Sequence, residues 1–235
     1  MGPDEAARPR PAGAAHARYQ AKLEASLADQ AAGGQGNDAP SRCVPFGLPR
    51  IMSVIFPMEI VVTPSTTHIL FDYAMPRRIF TDGRPWPKEI EPSFYGYAIG
   101  KWIDEGGTGK YNVLEVESRG FKSPRTYEAS GMPLHEDGES VIKERIYLDK
   151  ADPNTLFDEI TVLDHALTRP YVKLQKATRN PNPKPVWHSD VCSETNTHIR
   201  IENEPYYLSA DGRLMPSKKG QRPPDLTYFK VKERN

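Results

Sequence analysis

Val141–Leu148 reads VIKERIYL, and the side on which its acid falls decides how the chain is read. Side chains alternate across a strand, so Ile142, Glu144, Ile146 and Leu148 share one face, while Val141, Lys143, Arg145 and Tyr147 share the other. Glu144 is the odd acid on an apolar face. If that face points inward, burial disfavours the charged carboxylate and raises its pKa, which makes Glu144 a candidate general acid or base. The alternative is a structural acid, paired with a buried arginine or set at a ladder edge.

The same short, β-rich character recurs at residues 58–63, 67–73, 77–81, 97–103, 112–118, 156–163, 170–177 and 197–201. Almost no helical period separates these runs, which fits a sandwich or closed barrel rather than βαβ units. The expected fold is all-β, an antiparallel calycin- or lipocalin-like barrel with a short N-terminal helix. That helix is ARYQAKLEASLADQAA, residues 17–32, with Tyr19, Leu23 and Leu27 at four-residue spacing and Gly33-Gly34 as its stop. Residues 1–16 are too poor in apolar side chains to offset the entropy of ordering and are expected to be disordered. One domain then spans residues 17–215, followed by a basic, proline-rich tail over 216–235 that Tyr228 and Phe229 tuck down. Residues 123–140 form the longest gap between strands, a length often used for a lid or functional loop.

Composition removes several function classes. Thirty-one basic and 31 acidic residues cancel, so no net field recruits nucleic acid or an anionic membrane. No run of about 18 apolar residues is present, which argues against membrane insertion. Cys43 and Cys192 are far apart in sequence, and spacing alone fits a disulfide or two unrelated buried thiols equally well. A homo-oligomer is left open.

Further candidate groups surround Glu144. If Pro64-Ser65 is a two-residue turn, Glu59 lies opposite Leu70 and shares a face with Thr63, His68 and Asp72; Met58, Ile60, Val62, Ile69, Phe71 and Tyr73 form the apolar face. In RRIFTDGRPWP, residues 77–87, Arg78, Phe80 and Asp82 share one strand face, and Arg77, Ile79 and Thr81 the other. Asp82-Gly83 makes a turn, while Pro85 and Pro87 cannot donate to a following ladder, so the chain does not fold straight back. His135 in the long loop, and His165 after Asp164, are near-neutral titrators suited to proton transfer. Metal and nucleotide sites are not expected. DEGGTGKYNVLE, 104–115, lacks the acids of a calcium loop at its third and fifth positions, GGTGK lacks phosphate-loop spacing, and His188, Cys192 and His198 lack a second close ligand pair.

RCVPFGLPRIM (42–52), PMEIVVTP (57–64), RRIFTDGRPWP (77–87), YAIGKW (97–102), VLEVESRGF, DHALTRPY and YYLSADGRLMPSKKGQRPPDL together resemble a large family of secreted β-rich proteins from soil and environmental bacteria. The likeness runs over roughly residues 18–229. It implies a periplasmic or secreted setting, with this chain as the mature or trimmed form, and it tilts Cys43 and Cys192 towards a disulfide.

Two functions follow as expectations. One is a cofactor-independent acid/base enzyme of lyase, isomerase or cyclase type, acting on a small apolar or aromatic molecule inside the barrel. There Glu144 or Glu59 serves as base, His135 or Tyr73 as acid, and Arg78 holds a developing anion, with Asp72, Asp82, Trp86, Tyr97, Trp102 and Tyr171 as ligand contacts. The other is a non-catalytic, lipocalin-like carrier of a similar ligand. A model in which Glu144 and a second acid converge within a cavity favours the enzyme.

Overall fold

The computed structural model describes residues 15–53, 56–187, 192, 197–201, 204–209 and 211–223. Within them, β1 (Met58–Val62) to β8 (Tyr171–Thr178) form one eight-stranded sheet whose spatial order is the sequence order. The strands between are β2 (Thr66–Phe71), β3 (Arg77–Phe80), β4 (Tyr97–Ile103), β5 (Val113–Arg119), β6 (Val141–Leu148) and β7 (Thr155–Leu163). The sheet curls into a half-barrel, with β1 and β8 as its two edges. Neighbours are antiparallel except for β3 and β4, which pair in parallel through Ile79↔Ala98 and Phe80↔Ile99. This corrects the all-antiparallel expectation, and the cause is local. Pro85 and Pro87 prevent an immediate return strand, so residues 81–96 carry the chain across before it pairs. Gly100 then allows close approach, since a Cβ there would lie 2.7 Å from the Ile79 side chain.

The hairpin of β1 and β2 has the expected register, with Glu59 opposite Leu70 and Ile60 opposite Ile69. The alternation holds only to Phe71. Tyr73 takes a positive φ of 62°, so Asp72 turns inward to 2 % exposure and Tyr73 outward, the reverse of the expected sorting.

One face of the sheet is covered. Helix α1 (Ala17–Ala31) and the segments around Leu48, Ile51, Tyr127, Met132 and Leu134 pack against Ile69, Ile79, Ala98, Leu114, Val116, Ile142, Ile146, Ile160 and Val162. Ser26 on the helix donates to the Ser130 carbonyl and Gln30 to that of Ala129, which pins the long 123–140 loop down. The chain is ordered earlier than expected: the Ala166 carbonyl accepts the His16 backbone N–H at 2.9 Å, and Ala15 bridges Leu167. Residues 1–14 lie outside the described set, as do His188, Tyr228 and Phe229.

A second, three-stranded sheet of β9 (His198–Ile201), β10 (Glu204–Leu208) and β11 (Leu214–Pro216) has β10 in the middle. The last two strands carry prolines, which hid them from sequence reading. Lys218 beyond β11 pairs with Asp29 at 2.5 Å, so ordered structure extends past residue 215 into the expected tail. Cys43 and Cys192 are joined by a disulfide, with Cα atoms 5.5 Å apart.

Candidate functional site

Alternation on β6 places Ile142, Glu144 and Ile146 on the covered face, and Glu144 is 4 % exposed. It is not free to act as a base. The Arg77 guanidinium grips both its oxygens, donating to Oε1 at 2.7 Å and also to Oε2, and Arg77 in addition donates to Ser118 Oγ at 3.2 Å. The acid thus takes the structural role weighed against catalysis, paired with a buried arginine. Burial works against the Arg77 charge, and the Glu144 carboxylate outweighs that cost, holding its pKa above the ordinary value. Arg78, expected to hold an anion, is exposed on the opposite face of β3. Arg77, for which no role was expected, meets the acid in place of Arg78, because β3 turns Arg77 and Ile79 inward.

A second acid does converge on this pair. Asp158 on β7 is 4 % exposed, and neither of its oxygens meets a hydrogen-bond donor among the described residues. Burial, reinforced by the Glu144 charge and only partly relieved by Arg77, raises its pKa well above the ordinary carboxylate range. One guanidinium faces two carboxyls, so a proton on Asp158 leaves the cluster neutral. The sign of the consequence is fixed by linkage. At low pH Asp158 is protonated whether the chain is folded or unfolded. Above about pH 4 the unfolded chain releases that proton while the fold retains it, so stability falls as pH rises, until the folded group ionises. Asp158→Asn is expected to flatten this decline in chemical denaturation as the pH is raised above about 4. A slope that the substitution leaves intact would show that Asp158 is ionised in the fold.

A void on the covered side, beside Tyr127, Ile160, Val162 and Tyr171, measures about 10 Å³, at or below the volume of a single water. Tyr171 closes on Tyr127 edge to face, with centroids 4.9 Å apart, and Trp102 Nε1 donates to Thr67 Oγ1 at 3.1 Å. Both aromatics therefore serve the core. Glu59 is exposed on edge strand β1, far along the sheet from β6, and Tyr73 packs its ring on Phe56 at 5.2 Å. Asp72 is buried just beyond β2, where its backbone N–H donates to the Pro57 carbonyl at 3.0 Å.

The open face holds the larger depression, about 570 Å³, spread across β4 to β8. Its floor is a checkerboard of charge built by register: Lys101 opposes Glu115, Glu115 opposes Arg145, and Arg145 opposes Glu159; alongside, Glu117 opposes Lys143. At one end the β8 side chains Val172 and Leu174 are exposed at 68 % and 51 %. At the other, Tyr97 stands two residues before Ile99 on the same face and stacks at 5.0 Å on Phe80 and 6.0 Å on Trp86. Arg84 covers the Phe80 ring at 3.7 Å and Arg119 the Trp86 ring at 4.8 Å. Asp82 pairs with Arg84 at 2.6 Å, and that hydrogen bond lowers the Asp82 pKa to about 2. Asp82, Trp86 and Tyr97 are thus brought together through Arg84, Phe80 and their ring contacts. The charged floor residues went unread because they look like any solvated strand face. Their opposition across four strands becomes visible only with the register.

His135 sits apart from Glu144, in the pinned 123–140 loop. It contacts Tyr19 with ring centroids 5.6 Å apart and His165 at 5.7 Å, and Asp137 lies between the two histidines, 2.9 Å from His135 Nδ1 and 2.6 Å from His165 Nδ1. Asp137 raises the pKa of the His165 imidazole. No helix among the described residues is long and apolar enough to cross a membrane. Searches of family models, curated proteins and solved structures give no match for the chain.

Proposed function

We infer that the chain is a non-catalytic binding protein whose ligand lies on the open face of the half-barrel. The ligand is a small molecule with an aromatic or apolar body and a charged group. The depression across β4 to β8 carries this reading: its volume lies within the range of small-molecule sites, it combines an apolar strip at Val172 and Leu174 with a charged floor, and the aromatic–cation cluster of Trp86, Tyr97 and Arg119 continues the sheet beyond its lining. A flat body would stack on that cluster, where cations on ring faces already show affinity for π-systems, and its charge would displace one member of a solvated ion pair at little cost. The half-barrel curl agrees with a calycin-type architecture. The disulfide and the family resemblance favour an oxidising, extracytoplasmic setting. The enzyme alternative loses its main support with Glu144 closed off by Arg77.

The test is a small-molecule screen by native mass spectrometry on the full chain, with hits titrated against Leu174→Glu and Lys143→Glu. Both positions are exposed, so folding should be unaffected. Each change is expected to weaken binding about tenfold, roughly 1.4 kcal/mol. Affinity unaltered in both variants places the ligand elsewhere, and release of a chemically changed ligand restores the enzyme reading.

A further inference from the structure

His135, Asp137 and His165 come from two segments, the long 123–140 loop and the turn after β7, and their donor atoms all lie within 4.8 Å of one another. The two segments are fixed from below by a single carboxylate. Asp164 Oδ1 accepts the backbone N–H of His135 at 3.0 Å and that of Ala166 at 2.8 Å, while Oδ2 accepts the Ser140 hydroxyl. Ser140 Oγ in turn accepts from the buried Arg125 guanidinium at 2.8 Å. The histidines therefore meet on rigid supports, the arrangement by which outer groups orient ligands at metal sites.

His135 Nδ1 lies 3.2 Å from the Asp137 backbone nitrogen and 2.9 Å from Asp137 Oδ2, so the loop already brings this ring nitrogen to the carboxylate oxygen that a bound cation would share. His165 Nδ1 converges on the same oxygen at 2.6 Å, and Glu139 Oε2 stands 3.8 Å from His165 Nδ1. Two imidazole nitrogens and one carboxylate oxygen are the donor set of zinc-type ions, and donors bound to one such ion lie roughly 3.0–3.5 Å apart, given bond lengths near 2.1 Å. Opening the two Asp137 contacts by less than about 1 Å, with the histidine nitrogens, which already lie within 4.8 Å, brought to the same spacing, makes the seat.

We propose that His135, Asp137 and His165 bind one divalent transition-metal ion of the zinc class. The ion clamps the 123–140 loop to the turn after β7 and leaves its remaining coordination positions facing solvent. The site is independent of the depression on the open sheet face.

The test uses the full chain without an affinity tag. Zn²⁺ is titrated calorimetrically, and Co²⁺ is followed by its visible absorption, for the wild type, His165→Ala, Asp137→Asn and His68→Ala. His165 is mostly exposed, so its loss spares the fold, and Asp137→Asn keeps the backbone contacts. The wild type should bind one equivalent. His165→Ala and Asp137→Asn should each weaken binding by more than the roughly 10–100-fold typical of losing an outer-shell partner, and His68→Ala should match the wild type. Saturating Zn²⁺ should raise the melting temperature of the wild type and of His68→Ala alone. Absence of saturable binding, or binding that survives both His165→Ala and Asp137→Asn, overturns the proposal.

Discussion

Replacing Arg77 by methionine is expected to lower stability by about 3–5 kcal/mol, the usual effect of breaking a buried ion pair from one side. For a chain of this size that is a fall in melting temperature of roughly 6–20 °C. The reason is the company Arg77 keeps. Its removal leaves Glu144 without a counter-charge and Ser118 without its donor, beside an Asp158 that already lacks a donor. The Arg77→Met/Glu144→Leu double variant should recover most of the loss, because removing both charges removes the desolvation penalty along with the attraction. Denaturant unfolding of the two variants separates the outcomes. A single variant within about 1 kcal/mol of the wild type would mean that water reaches Glu144 and that the pair is not sealed.

Removing the disulfide is the second large effect. Cys43 and Cys192 are 149 residues apart in sequence, and on the chain-entropy account a loop of that length constrains the unfolded state by up to roughly 5 kcal/mol, with measured losses for native bridges of about 2–5 kcal/mol. The Cys43→Ser/Cys192→Ser variant should lose stability in that range. Reducing agent should destabilise the wild type equally and leave the variant unmoved. The bond joins the segment leading into the covering layer to the stretch between β8 and β9, so the three-stranded sheet should loosen first, with earlier amide exchange over β9 to β11. Equal denaturation midpoints with and without the bridge would refute this.

The cluster at Arg77, Glu144 and Asp158 also explains why the sequence pointed towards catalysis. Two acids do converge in the interior, one half of the condition set for favouring an enzyme, but each is only 4 % exposed and the first is held by Arg77. A buried carboxyl with a raised pKa is shared by working sites and by sealed ionic clusters. What separates the two is access, which depends on the covering layer rather than on the strand itself.

Several features were readable from residue order alone. Alternation in VIKERIYL put Glu144 inward, the two-residue turn at Pro64-Ser65 set the β1–β2 register, and Gly33-Gly34 ended the helix; each rests on interactions within a few residues. Proline placement in RRIFTDGRPWP likewise ruled out an immediate return strand. Reading failed where the determining partner is distant in sequence. Arg77 and Arg78 are chemically identical neighbours, and only the covered side of the curled sheet, where Arg77 reaches across from β3 to β6, decides which one meets Glu144. Asp158 looks like an ordinary strand acid until β7 lies beside β6. His135 and His165 are separated by two strands, and Asp164, silent in the sequence, is the group that draws them together. Local residue order specifies an all-β chain with one N-terminal helix and an acid on an apolar strand face. The tertiary structure decided the half-barrel with its parallel β3–β4 pair, the neutralising partner of that acid, the charged floor of the open face and the histidine cluster, because each depends on long-range contacts that local periodicity does not encode.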